Sequence, residues 1–566
     1  MTFRSRALVL TSAAALLFVP SRLPAASHAP VRGRNGMVVS ADSLASSAGV
    51  SILRRGGNAV DAAVAVGFAL AVTYPEAGNL GGGGFMVIRM AGGESTMIDF
   101  REKAPAASTR DMYLDAGGRP IREKSLTGPL AAGVPGTVDG LLTALNEYGS
   151  LRRDDVIGPA LALADAGFPV TDHLARALNE EIPRFAIFPS SMKAFTRNGR
   201  PYRWGDTLRQ GDLAVTLRAV MERGAEGFYS GDVAARIVAE VKKDGGIITA
   251  DDLLGYASVE RDPLVGSYRG YEILTAAPPS SGGVLLLQIL NSLERFDLRQ
   301  MGWNSSGAVH AFAGSCQRAF ADRAEYLGDP DFVHVPVGEL VSKEYSAARL
   351  ADFDSMRASP GGRIGSGDPS LTDHQTTHYC VADRFGNVVS VTFTLNGLFG
   401  CKAVVDGAGF FLNNEMDDFT VKPGALNMFS LVGGVRNQIE PRKRMLSSMT
   451  PTIVVKDDRP FLVLGARGGS RIPTTVAQII ANVIDFGMTV QEAVDAPRVH
   501  HQWIPDTLLY EKRGLESDVV RNLGSMGYVL QEVEVTARAE ALMIDSAGGW
   551  LLGGADPREE GYALGY

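Results

Sequence analysis

The sequence predicts a mixed α/β protein whose sheet is covered by helices, and three observations carry that reading. The stretch Ala59 to Val72 is rich in Ala and Val on nearly every face, the composition of a helix buried between layers. Two β-rich runs, Thr376-Thr377-His378-Tyr379-Cys380-Val381 and Val388-Val389-Ser390-Val391-Thr392-Phe393-Thr394, flank the compact turn Asp383-Arg384-Phe385-Gly386-Asn387, as the strands of a hairpin would. From about Leu130 to Leu350, helical stretches such as Val156 to Ala166 and Val233 to Lys243 alternate with Gly and Pro. With 45% hydrophobic and 21% charged residues, the chain of 566 can bury a sizeable core, which excludes disorder, collagen and coiled coil.

Taken in order, the chain opens with Arg4 and Arg6, an apolar run from Ala7 to Val19, then Pro20 and the small-residue stretch Pro24-Ala25-Ala26-Ser27. That is the order of a secretory signal peptide, assigned to residues 1–26, with an uncleaved anchor as the alternative. No other segment reaches 18 uninterrupted apolar residues. The expected product is a periplasmic or secreted protein with no stable membrane span once the signal is removed. Gly36-Met37-Val38-Val39-Ser40 reads as a strand; Asp42 or Ser43 caps a helix to about Arg55, which Gly56-Gly57 stops. A second helix starts at Asn58.

Asn79-Leu80-Gly81-Gly82-Gly83-Gly84 leads into the strand-like Phe85-Met86-Val87-Ile88-Arg89, whereas a phosphate-binding glycine run leaves a strand and opens a helix. The four glycines are better read as permitting close backbone approach or a bend. The net charge of −8, with no basic run interleaved with aromatics, excludes nucleic acid as a partner. Cys316, Cys380 and Cys401 form no framework and no C-x-x-C pair, so at most one bridge is possible. A polar, breaker-rich connector, Ser359-Pro360-Gly361-Gly362-Arg363-Ile364-Gly365-Ser366-Gly367-Asp368-Pro369, marks a boundary between two halves of the chain.

The hairpin just beyond this connector has a register that its turn fixes. If Asp383 opposes Asn387, Thr376 faces Thr394 across the ladder, with both side chains on one face. Two hydroxyls and nearby Asn396 then converge at one end of the hairpin. From spacing alone, the competing reading is that Thr is simply a good strand former.

Several blocks together resemble the gamma-glutamyltransferase family of N-terminal-nucleophile hydrolases. They are Gln375-Thr376-Thr377-His378-Tyr379, Thr394-Leu395-Asn396, Asn413-Asn414-Glu415-Met416-Asp417-Asp418-Phe419, Leu446-Ser447-Ser448-Met449 and Gly468-Gly469-Ser470-Arg471. Gly56-Gly57-Asn58-Ala59-Val60-Asp61-Ala62-Ala63, Gly81-Gly82-Gly83-Gly84-Phe85, Asp99-Phe100-Arg101-Glu102 and Asp556-Pro557-Arg558 extend the likeness, in order, over nearly the whole mature chain. The resemblance implies a four-layer αββα sandwich, one large domain built from two chains of one self-cleaved precursor. The large chain would span 27–375 and the small one 376–566. Freed Thr376 would be the nucleophile, with its own α-amino group, titrating near ~8, as the adjacent base.

The resemblance also implies roles residue by residue. Thr394 hydrogen-bonds the nucleophile, and backbone N–H groups from Gly468 and Gly469 serve the oxyanion. Arg101 forks the α-carboxylate of a γ-glutamyl donor, completed by Ser447 and Ser448. Glu415, Asp418 and Asn396 hold its α-ammonium. The implied substrates are glutathione and related γ-glutamyl compounds, with water, an amino acid or a peptide as acceptor; no cofactor and no metal are expected.

His500-His501 sits in a Pro-rich region with no carboxylate noted at metal-ligand spacing, and His378 reads as a buried structural histidine. Two departures from the family pattern stand out. Phe429 occupies the place of a lid tyrosine, which predicts a looser lid and a shifted balance between hydrolysis and transfer; an unchanged ratio in Phe429→Tyr would contradict this. Met445 replaces the usual proline of Arg-Pro-Leu before the serines. Two rivals remain open: a glutaryl-cephalosporin acylase-like amidase, and an inactive periplasmic protein that binds γ-glutamyl peptides.

Overall fold

The computed structural model describes residues 27–361 and 376–566. The signal-peptide assignment, most of the connector and Gln375 fall outside the described residues. Two seven-stranded sheets dominate. One runs, in spatial order, Tyr562–Gly565, Gly36–Ser40, Thr377–Asp383, Val388–Thr394, Gly83–Arg89, Ser95–Asp99 and Val259–Arg261. The other runs Val31–Gly33, Trp550–Ala555, Arg538–Asp545, Arg459–Arg467, Thr452–Lys456, Tyr271–Thr275 and Leu264–Tyr268. Every pairing within both sheets is antiparallel.

The helices Ser43–Arg54 and Ala59–Thr73 cover the outer face of the first sheet. Asp42 caps the former by accepting from Ala45 N at 2.9 Å, and Asn58 closes a capping box on the latter. All fifteen residues of Ala59–Thr73 are buried, because the strands lie beneath it and further helices, among them Arg153–Ala166, lie above it. Gly282–Leu293, Ile472–Ile484 and Val490–Asp495 cover the second sheet, giving the layers helix, sheet, sheet, helix. Among the described residues no helix is long and apolar enough to cross a membrane.

The connector separates two stretches of chain without separating two bodies. Thr377–Asp383, which follows it, pairs with Gly36–Ser40 from far upstream, and Val388–Thr394 pairs with Gly83–Arg89. The hairpin has the register its turn predicts: Thr377 opposes Phe393, His378 opposes Thr392, and Asp383 N donates to Asn387 O at 3.1 Å. The four glycines are close-approach positions. A Cβ on Gly82 would lie 2.0 Å from Thr394 O, and one on Gly84 would lie 2.4 Å from Thr392 O. Cys316, Cys380 and Cys401 are buried and unbridged.

Candidate active site

The two sheets meet face to face, with strands Thr377–Asp383 and Arg459–Arg467 in contact across the layers. Cys380 Sγ lies 3.4 Å from Val463 O, and a Cβ on Gly465 would meet the His378 ring at 2.4 Å. Thr376 lies two residues before His378 on this strand line, and Arg467, Gly468 and Gly469 follow Gly465 on the facing one. Those glycines have φ of +136° and +58°, conformations that L side chains rarely adopt, and they turn the chain from strand Arg459–Arg467 toward helix Ile472–Ile484.

Thr376 and Thr394 are buried at the hairpin end, with Thr376 Oγ1 donating to Thr394 Oγ1 at 3.5 Å. Asn396, at φ +76°, donates its backbone N–H to Thr394 Oγ1 at 2.7 Å and its Nδ2 to Asn414 O at 3.1 Å. His378 hydrogen-bonds Thr392 Oγ1 at 2.8 Å and contacts Cys380 Sγ at 3.1 Å. Burial pushes its pKa down to about 3, so it is a neutral structural histidine at any working pH.

Arg101 is fully buried and stands at the centre of an acidic cluster. Its guanidinium reaches Asp418 at 2.5 Å, Glu415 at 2.6 Å and Glu102 at 3.3 Å, while Nε donates to Met445 O at 3.2 Å. The sequence reading assigned Arg101 to a substrate carboxylate and Glu415 and Asp418 to an ammonium. Here the two sets pair with each other, because a buried charge left unpaired is expensive. Burial would lower the arginine's pKa, but Glu415, Glu102 and Asp418 more than reverse that. Burial pushes Glu102 up to about 7 and raises Glu415 and Asp418 as well, while Arg101 lowers all three. Glu102 Oε1 and Glu415 Oε1 accept no hydrogen bond among the described residues.

Local chain geometry sets this cluster up. Asn413 Oδ1 accepts Glu415 N at 3.0 Å at the start of the one-turn helix Glu415–Asp418. Ser447 is fixed through its backbone, its N donating to Pro279 O at 2.9 Å and its O accepting Ser281 N at 2.8 Å. Ser448 is partly exposed beside it. Met445 is buried with Ala104, Tyr113, Met416, Phe419 and Ile439 and keeps its carbonyl on Arg101, so the departure from proline leaves a packed turn.

Three contributors escaped the sequence reading. Arg323, on the long helix Ser306–Tyr326, lines the cleft beside Asp418 and donates to Ser281 Oγ at 3.1 Å; burial lowers its pKa to about 10. No motif around it signals this place. Glu102 sits inside a block that was recognised without being given a role. Asn427 donates to Asp418 Oδ1 at 3.2 Å while its Oδ1 accepts Phe429 N and Leu431 N at 3.0 and 3.1 Å, fixing the turn that carries Phe429. The Phe429 ring lies against the glycine turn, since a Cβ on Gly469 would fall 2.2 Å from its Cδ1.

Two histidine sites bear on metal binding. Contrary to the sequence reading, a carboxylate does lie beside His501, with Asp506 at 3.4 Å from Nε2. His500 is engaged by Thr474 and Gln502. Glu76, His173 and Glu559 also bring ligand atoms within 4.8 Å of one another. Arg467 and Arg538 already hold Glu559. Burial would lower His173, yet Glu76 and Glu559 raise it to about 9, and a protonated imidazole has no lone pair for a metal. This cluster is a buried ion network.

Comparison with known proteins identifies the family. The chain is 49% identical over 534 residues to the glutathione hydrolase proenzyme of Escherichia coli (strain K12), covering 94% of this chain and 91% of that one. It is 38% identical over 540 residues to the acylase ACY 1 proenzyme of Pseudomonas sp. (strain V22), covering 94% of each. Among solved structures, the cephalosporin acylase from Bacillus halodurans superposes with a TM-score of 0.85 at 28% identity, covering 97% of this chain and 99% of that one. The sequence pattern of the gamma-glutamyltranspeptidase family matches residues 45–566, and the chain belongs to that family.

Proposed function

We propose that this chain is an exported, self-cleaving γ-glutamyltransferase with glutathione hydrolase activity. The observation that carries the reading is the buried pairing of Arg101 with Glu415 and Asp418. A γ-glutamyl donor is a zwitterion at its α-carbon. It enters such a site by exchange of partners: its carboxylate replaces the acids on Arg101, and its ammonium replaces Arg101 on the acids. Every buried charge then remains paired. Ser447 and Ser448 complete the carboxylate side, and Asn396 the ammonium side.

Cleavage before Thr376 frees its α-amino group, which titrates near ~8 and takes the hydroxyl proton. Thr376 Oγ1 attacks the γ-carbonyl carbon; the C–N bond breaks, and the leaving amine departs with that proton. Water or an acceptor amine then bonds to the acyl carbon, the ester bond to Oγ1 breaks, and the nucleophile's proton returns to Oγ1. Thr394 orients Oγ1 through the hydrogen bond between their side chains. The N–H groups of the Gly468-Gly469 turn stabilise the oxyanion, a contribution of about 3 kcal/mol per donor.

The acylase reading is the alternative, supported by the likeness to acylases of the same fold. A glutaryl group has no ammonium, however, and would leave Glu415 and Asp418 without a cationic partner once Arg101 turned to its carboxylate. The test compares intact masses of wild type and Thr376→Ala, with turnover of γ-glutamyl and glutaryl anilides by both. Two chains split before Thr376 and preference for the γ-glutamyl anilide, both lost in the variant, are expected. A single inactive wild-type chain refutes the reading, and preference for the glutaryl anilide transfers it to the acylases.

A further inference from the structure

The sequence stretch His500-His501-Gln502-Trp503 has no part in the chemistry above, yet it touches the turn that carries Phe429. Gln502 is buried, and its Nε2 lies 3.1 Å from Phe429 O, 3.0 Å from Ser430 O and 3.2 Å from Ile504 O. Its Oε1 accepts from Ser470 Oγ at 2.7 Å and lies 2.9 Å from His500 Nε2. The surrounding bonds define which way the amide faces. Three carbonyl oxygens can only accept, so the amide nitrogen must face them, and the neutral His500, its pKa pushed down to about 3 by burial, then carries its ring proton on Nε2, facing Gln502 Oε1. The amide oxygen thus faces two donors and the amide nitrogen faces carbonyls.

This joins the Phe429 turn to the residue immediately after Gly469. On its other side, the same turn is tied to the acidic cluster through Asn427 and Asp418. Between the two anchors Ser430 is held at φ +55°, a left-handed conformation that a non-glycine residue keeps only when its neighbours impose it. Releasing the Gln502 anchor withdraws the N–H groups that hold the Phe429 and Ser430 carbonyls and leaves the strained turn held from the Asn427 side. The turn then lifts and carries the Phe429 ring away from Gly469.

We propose that Gln502 is a positioning residue that latches the Phe429 turn over the glycine turn and thereby favours transfer of the acyl group to an amine over its hydrolysis. The inference rests on the γ-glutamyl transfer reading. With the latch closed, the ring covers one side of the glycine turn, where the acyl carbon reacts, and leaves a defined surface for an acceptor. With it open, water reaches the ester freely while the acceptor loses that surface.

The test uses the cleaved, full two-chain protein and measures γ-glutamyl anilide hydrolysis against transfer to a dipeptide acceptor. Gln502→Leu removes the donors, and Gln502→Glu keeps the shape while replacing the N–H groups with oxygen; either variant serves if the other fails to fold. A fall of about fivefold or more in the transfer-to-hydrolysis ratio is expected, with faster amide hydrogen exchange over residues 427–431. In a Phe429→Ala background the same substitution is expected to shift the ratio less than twofold, because the latch acts through that ring. An unchanged ratio, unchanged exchange, or an equal shift in both backgrounds overturns the latch while leaving the transfer reading intact. A wild type that processes but transfers to neither water nor amine overturns the transfer reading itself.

Discussion

Replacing Arg101 with glutamine tests the charge argument most directly. Three carboxyl groups lie within 3.3 Å of its guanidinium, and all are buried. Removing one partner of a buried ion pair costs about 3–5 kcal/mol, because the remaining charge has no solvent to turn to. At about 2 cal/mol/K of unfolding entropy per residue, the 566-residue chain loses about 1 °C of melting temperature per kcal/mol. A drop of about 3–5 °C at pH 8 follows.

The sign with pH is also determined. Burial already raises Glu102, Glu415 and Asp418, and loss of Arg101 raises them further, since Arg101 is the largest influence lowering each. The folded variant therefore holds protons that the unfolded chain releases above ordinary carboxyl values. The deficit grows as pH rises through about 4.5 toward the raised values and vanishes below about 4. Melting curves at pH 5 and pH 8, with KM for a γ-glutamyl anilide, are the assay. KM should rise by about 10²-fold or more, since one charge-assisted hydrogen bond alone contributes about 1.5–3 kcal/mol. Adding Glu415→Gln should recover stability but not KM. A variant as stable as wild type at pH 8 would refute the argument.

Two further outcomes follow from buried groups. Glu540, in strand Arg538–Asp545, is buried with neither carboxyl oxygen hydrogen-bonded among the described residues, and burial raises it to about 8 despite Arg467. Its folded pKa exceeds the unfolded value, so it weakens the fold progressively between about pH 4.5 and pH 8; Glu540→Gln should melt above wild type at pH 8, with the gap closing at pH 5, and a pH-independent gap would contradict this. The acidic limb of kcat/KM should follow the α-amino group of Thr376 near ~8. Because His378 is neutral above about 3, a limb near 6.5 that disappears in His378→Asn would show that the imidazole is the base after all.

Much of the fold was legible because it is written in local patterns. Asp42 and Asn58 announce their helices by capping chemistry, Ala59 to Val72 announces burial by having no polar face, and the Asp383-to-Asn387 turn determines a register that places Thr376 opposite Thr394. Side-chain period in a strand is two, so a turn of known length leaves one choice of face. Resemblance supplied the identities of Arg101, Glu415 and the glycine pair, since nothing in their spacing brings residues hundreds of positions apart to one site.

What only the tertiary structure decided is how those residues meet. The sequence treated Arg101 and the acids as separate arms for two substrate charges, whereas the fold closes them on one another, because desolvation makes a buried charge take whatever counter-charge lies nearest. Arg323 and Gln502 carry no signature, for the contribution of each is a hydrogen bond to a group distant in sequence. Periodicity and capping are short-range consequences of backbone geometry and can be read along the chain. Charge pairing and the latching of a turn depend on which surfaces the layers bring together, and that is decided only when the two sheets pack.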